Sequence, residues 1–139
     1  MRILFDTNVI LDVMLDREPF ADAASALLEQ VENGVIAGYL SATTITTIHY
    51  LASKAIGEEK AQTEIEKLFS LFEVAPINRA VLEAALKSRM ADFEDAVLSE
   101  AAKAVGVDGI VTRNIKDFKR AGISIYNPIE LLDATRLQN

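Results

Sequence analysis

The stretch "RILFDTNVILD", residues 2–12, decides the fold. Ile3, Leu4 and Phe5 are apolar in succession with no turn residue among them, as in a strand sealed on both faces. Asp6 then interrupts, followed by Thr7 and Asn8, and apolar residues resume at Val9, Ile10, Val13 and Met14 with helical spacing. A strand, a polar break and a helix in such quick succession read as the start of a βα unit. The carboxylate at the end of the strand needs a reason, because an unpaired charge in an apolar interior is costly.

The rest of the chain repeats this alternation. "DREPF" breaks the first helix, and Pro19 suits the first turn of the next, whose apolar residues Phe20, Ala23, Ala24, Leu27, Leu28 and Val31 recur at helical spacing as far as Gly34. "VIAGYLS" (35–41) reads as a strand, with Ser41 as cap of the helix beyond. The segment 41–57 is β-branched enough for a strand. Its length and the spacing of Ile45, Ile48, Leu51, Ala52 and Ile56 predict a helix that stops at Gly57. Further helices are expected over 58–72, over 78–90 with Asn78 as cap, and over 92–107 with Asp92 at its start. "EVAPI" (73–77), "GIVT" (109–112) and "ISIY" (123–126) read as strands. "RNIKDFKRAG" (113–122) reads as a turn or short helix, and "PIELLDA" (128–134) as the closing helix. Short strands alternating with helices predict an α/β protein: a parallel sheet with helices on both faces.

Composition bounds the possibilities. A length of 139 residues corresponds to about one domain, with half the residues apolar, enough for one sizeable core. There is no cysteine, which removes disulfide and thiolate chemistry and is compatible with a cytoplasmic location. No apolar run approaches a membrane span, and the N-terminus has no signal-peptide pattern, so a membrane partner is not expected. The net charge of −7 argues against a broad nucleic-acid-coating surface, but not against a small site in which acids gather around a metal.

In open parallel sheets, ligands bind beyond the carboxyl ends of the strands. Asp6 would stand at such an end and point into a crevice. Asp92 and Asp95 start a helix three residues apart, hence neighbours on its surface. Thr112, Arg113, Asn114 and Asp117 follow the strand "GIVT". Carboxylates crowded together repel unless a proton or cation neutralises them. Hard oxygen donors of this kind select Mg²⁺ or Mn²⁺, which can position a phosphodiester and activate a water.

"LFDTNVILD", "DFEDAVLSEAA", "GIVTRNIKDF" and "IYNP", in this order and spacing, resemble the PIN-domain family, including the toxin ribonucleases of bacterial toxin–antitoxin pairs. The resemblance runs along nearly the whole chain. It implies a three-layer α/β/α fold, a single PIN-like domain over 1–139, and Mg²⁺- or Mn²⁺-dependent cleavage of single-stranded RNA. A homodimer and a cognate antitoxin protein are the partners it implies. Carried over position by position, Asp6 and Asp95 would be the metal ligands. Asp92 and Asp117 would complete the catalytic acids, and Thr7, Asn8, Thr112 and Asn114 would support them by hydrogen bonding. One position departs from the family pattern: Thr47 stands where many members carry an acid, six residues after Ser41. The departure points to one metal instead of two, or to weak binding, and Glu94 is a poor substitute because adjacent helical residues point about 100° apart.

Other readings stand beside these. Asp6 and Asp92 could be helix N-caps, Asp95 could complement a helix dipole, and Asp117 could be a solvated turn residue. His49 reads as a helix-face residue. Arg113, Lys116, Lys119 and Arg120 form a dense basic group that could hold RNA phosphates or simply be a solvated turn. Against the nuclease stand a catalytically weak or inactive PIN-like module that binds RNA or protein, and a phosphatase with Asp6 as nucleophile. Asn8 weakens the last, since such enzymes usually want a second aspartate there.

Overall fold

A computed structural model describes residues 1–137 of the chain. Strand β1 (Arg2–Phe5) forms the centre of a five-stranded, all-parallel sheet, with β2 (Ala37–Ser41), β3 (Glu73–Ala75), β4 (Gly109–Val111) and β5 (Ser124–Tyr126) in the order β3-β2-β1-β4-β5. Ile3 pairs with Gly38 on one side, and Phe5 with Val111 on the other. A central parallel strand is covered on both faces, which explains why three successive apolar residues are needed: Ile3, Leu4 and Phe5 are all fully buried.

Because side chains alternate along a strand, these three divide between two cores. Ile3 and Phe5 enter one, with α1 (Thr7–Met14), α2 (Ala21–Glu32), α3 (Ala42–Ile56), α4 (Glu58–Leu71) and α7 (Pro128–Leu137) packed over them through Ile10, Leu27, Ile48, Leu68 and Leu131. Leu4 enters the other, under α5 (Arg79–Lys87), α6 (Phe93–Val105) and a short 3-10 helix (Ile115–Phe118). The architecture is three-layer α/β/α. Gly38 has no side chain because none fits: a Cβ there would lie 2.6 Å from the Phe72 ring, which packs edge-on against Phe5 with centroids 5.2 Å apart.

The element boundaries follow local chemistry. Asp6, Ser41, Asn78 and Asp92 each cap a helix by accepting a backbone N–H. The β-branched segment after Ser41 is indeed helical, burying Thr44, Ile48 and Ala52 one turn apart, and it ends at Gly57, whose φ of +88° suits glycine. Pro19 differs from expectation: it lies in the turn before α2, where the N–H groups of Phe20 and Ala21 both reach the Arg17 carbonyl.

From β1 the chain steps outward to β2 and β3, then crosses back over the sheet through α5 and α6 to β4 and β5 on the far side. The order therefore reverses between β1 and β4. At that point the two strands diverge to separate helices and leave a crevice beyond their carboxyl ends.

Candidate active site

Asp6 is the first residue past β1, yet its backbone still belongs to the sheet: its N–H donates to the Val111 carbonyl at 2.9 Å. Its side chain turns into the crevice. Oδ1 accepts the Thr7 N–H at 2.8 Å, and Oδ2 accepts the Thr112 hydroxyl at 2.7 Å and, loosely, the Asn8 amide at 3.4 Å. Burial pushes the Asp6 carboxyl above its ordinary value, against the lowering effect of the Thr112 and Thr7 hydrogen bonds, and the charge of Asp117 adds to the rise.

Asp95 arrives from a distant part of the chain. An α-helix that returns across a parallel sheet begins near the carboxyl ends of the strands, so the first turn of α6 overlooks Asp6. Asp92 caps this helix by accepting the Asp95 N–H at 2.9 Å. Burial first, then the charges of Asp92, Asp6, Asp117 and Glu94, push the Asp95 carboxyl from 3.8 up to about 7. Asp6 and Asp95 line the same cleft, of about 320 Å³, together with Thr7, Asn8, Thr47, Glu94, Arg113 and Asn114.

The supporting residues are tied to one another. Thr112 is fully buried; its hydroxyl donates to Asp6 and accepts the Asn114 N–H at 3.0 Å. The Asn8 side-chain oxygen accepts the Arg113 N–H at 3.4 Å. Thr7 and Thr44 share a hydroxyl contact of 3.0 Å, which continues through Ser41 to Thr43 and joins the ends of β1 and β2.

Not every candidate reaches the cleft. Asp92 is exposed and acts as a cap, although its charge is felt at Asp95. Asp117 sits on the 3-10 helix in a neighbouring hollow with Lys116, Lys119 and Arg120, and its charge reaches both Asp6 and Asp95. Of the four basic candidates, only Arg113 lines the cleft. Its guanidinium is already engaged: Nη2 donates to Asp12 Oδ1 at 3.2 Å, and the group stacks 3.9 Å from the Phe20 ring centroid. His49 is exposed on α3.

The residue that sequence reasoning missed is Asp12. It is completely buried in α1 and faces two guanidiniums, Arg17 Nε at 3.0 Å and Arg113 Nε at 2.8 Å. Neither Nε–H points straight at its oxygen, so these two contacts are ion pairs more than aligned hydrogen bonds. A signal for this was present: Asp12 interrupts the apolar run from Val9 to Met14, at a position the helical period turns toward the core.

The donor set suits a divalent cation. Two carboxylates share the cleft, and both are held above their ordinary range, by burial first and then by neighbouring acidic charge. The two arginines on the cleft wall answer Asp12 instead. Among the described residues no three acidic or histidine side chains converge into a ready-made cage. Mg²⁺ does not ask for one: it commonly takes one or two carboxylates and completes its shell with water and substrate phosphate.

Comparison with known proteins agrees with this fold. The family profile of the PIN domain matches residues 2–116. A relative, Ribonuclease VapC1 of Aquifex aeolicus, is 24% identical over 137 residues, covering 95% of this chain and 94% of its own. Among solved structures, VapBC2 from Rickettsia felis bound to a promoter DNA fragment superposes with a TM-score of 0.71 at 20% identity, over 91% of this chain and 98% of that one. FitAcB from Neisseria gonorrhoeae gives 0.71 at 24% identity, over 91% and 98%. A toxin–antitoxin complex from Klebsiella pneumoniae gives 0.68 at 25%, over 91% and 97%. With the profile spanning most of its length and acids of its first and second motifs meeting in one cleft, the chain belongs to the PIN domain family.

Proposed function

We propose that this chain is a metal-dependent endoribonuclease that cleaves single-stranded RNA, and that it is the toxin of a toxin–antitoxin pair. The observation that carries the reading is the meeting of Asp6 and Asp95, far apart in sequence, in one cleft where neither has a cation of its own. The ribonuclease relative and the toxin–antitoxin neighbours support the substrate class and the partner.

Asp6 and Asp95 would hold Mg²⁺ or Mn²⁺. Such an ion would supply positive charge to the scissile phosphate and lower the pKa of an attacking water. The chain's own residues do the rest. Thr112 and the Thr7 N–H fix both oxygens of Asp6, so its orientation is set before substrate arrives. Asp92 fixes the first turn of α6 and so the approach of Asp95. Near neutrality the Asp95 carboxyl retains its proton part of the time, so a cation held there would have to compete with that proton. Asn114 lines the same cleft and is tied to Thr112 through its backbone N–H. Asp117 adds negative charge from outside and raises the demand for a cation. Thr47 lines the cleft without a charge of its own, which favours one ion over two.

The test is incubation of the purified protein with an unstructured RNA in Mg²⁺, Mn²⁺ or EDTA, beside Asp6→Asn. Cutting that needs the metal and disappears in the variant is expected. RNA retained without cutting, with or without metal, would favour the binding-module reading. Co-expression with the product of an adjoining small gene, followed by size-exclusion chromatography, tests the antitoxin and the homodimer. We further propose that the 139 residues act as one domain in the cytoplasm.

A further inference from the structure

Six of the chain's 14 Lys and Arg residues gather on one face, although the chain as a whole carries a net charge of −7. Two hollows mark the place. One, of about 720 Å³, lies between the end of α5 and α6 and is lined by Lys87, Arg89, Lys103 and Arg120. The other, of about 400 Å³, is lined by Arg89, Lys116, Lys119 and Arg120, with Asp117. Arg89 and Arg120 line both, so the two hollows adjoin and form one basic strip. Lys103 is answered by Glu100 at 2.6 Å; among the described residues the other five make no ion pair. Five exposed, unanswered cations on an acidic protein hold a local positive potential open to a polyanion.

The strip meets the cleft at two edges. The loop that carries Arg89 leads in three residues to Asp92, the cap of the helix that presents Asp95. The 3-10 helix that carries Lys116 begins just after Asn114, which lines the cleft. No aromatic side chain lines either hollow, so the strip has means to grip a backbone and none to stack a base.

We propose that this strip is a track for the sugar–phosphate backbone of RNA, carrying the strand away from the cleft across the 3-10 helix, α6 and the end of α5. The identity of the polyanion rests on the nuclease reading. Lys87, Arg89 and Lys103 thereby join the binding surface from residues that flank the Asp92–Asp95 motif on either side. Contact is to phosphates, so the track adds affinity for length and not for sequence.

The test is fluorescence-anisotropy binding of labelled unstructured RNAs, about 20 and about 5 nucleotides long, across a salt series. It uses Asp6→Asn protein in EDTA, with and without Lys87→Glu/Arg89→Glu. Losing two single-strand phosphate contacts flattens the slope of log affinity against log salt by about 1.4. The 20-nucleotide RNA is expected to bind roughly tenfold more weakly to the charge-reversed protein, while the short RNA changes little. Because both side chains are exposed, Lys87→Gln/Arg89→Gln provides a milder variant with the same direction of effect. Unchanged affinity and slope for the long RNA in both variants overturn the proposal and hand the strip to an acidic protein partner. No cleavage is needed for the measurement. A protein that cuts nothing but loses long-RNA affinity on charge reversal keeps the track and loses the nuclease chemistry.

Discussion

Asp6 and Asp12 stand at opposite ends of α1, and the chain treats their charges in opposite ways. Asp12 is deeper, fully buried, and is answered by Arg17 and Arg113. Asp6 keeps a wet edge; its hydrogen bonds come from the Thr7 N–H, the Thr112 hydroxyl and a distant amide, and Arg113 reaches it only as the weakest of the charges it feels. A buried carboxylate with two guanidiniums is structurally complete. One whose hydrogen-bond partners are all neutral, with a second carboxylate across the cleft, is incomplete until a cation arrives. The environment of the charge, more than its depth, separates a structural acid from a functional one.

The strongest way to break this contrast is to neutralise each acid. Asp6→Asn is expected to lower RNA cleavage at least about a thousandfold while raising the melting temperature of the metal-free protein at pH 8 by about 3 °C, since it removes an ill-solvated charge. Asp12→Asn should do the reverse to stability. It leaves two guanidiniums short of a partner and costs about 3 kcal/mol, or about 10 °C in melting temperature, the low end of the usual range because both arginines keep exposed edges. A thermal scan that shows Asp12→Asn to be harmless would dissolve the distinction.

Thr112→Val keeps shape and removes only the hydroxyl that orients Asp6. Isothermal titration with Mn²⁺ is expected to show an affinity roughly 10–100-fold lower. Thr47→Glu adds an acid to the cleft wall, and the same titration should show metal affinity raised by up to about tenfold. An unchanged isotherm would mean that position 47 does not face the ion.

The smallest effect is on pH. In the folded chain Asp95 holds its proton up to about pH 7, whereas unfolding returns it to 3.8. Between those values the native state binds more protons than the unfolded state, so metal-free stability falls as pH rises through that window and levels off above it. The stabilisation conferred by Mg²⁺ should accordingly be larger at pH 8 than at pH 6, because at the lower pH the ion must displace a proton. Melting curves at the two pH values, with Asp95→Asn as the control that loses the Asp95 share of the dependence and keeps that of Asp6, check this.

Much of the molecule was legible in its sequence, for physical reasons that differ by region. "ILF" reads as a two-sided strand because burial on both faces leaves no room for alternation, and Asp6 follows from where such a strand must end. Ser41, Asn78 and Asp92 read as caps because capping is a local interaction. What local pattern could not reveal was partnership across the chain. Arg113 reads as a free cation beside the site; its engagement with Asp12, 101 positions away, depends on α1 lying next to the end of β4. Asp92 shows how two readings can both hold: it is the cap that helical chemistry predicts, and its charge still weighs on Asp95. The basic strip on α5 and α6 was likewise invisible, because Lys87 and Arg89 meet Arg120 only through the crossover to β4.

One feature of Asp6 has a mechanical side. Its N–H is the last rung joining β1 to β4, bonded to Val111 at 2.9 Å, so its main chain is held by the sheet and cannot swing as a loop would. Where a flexible carboxylate would drift from Asp95 and dissipate the repulsion in solvent, this one is clamped in place. The tension between the two acids thus persists as a standing readiness for a cation, set by the same hydrogen bonding that holds the central strands together.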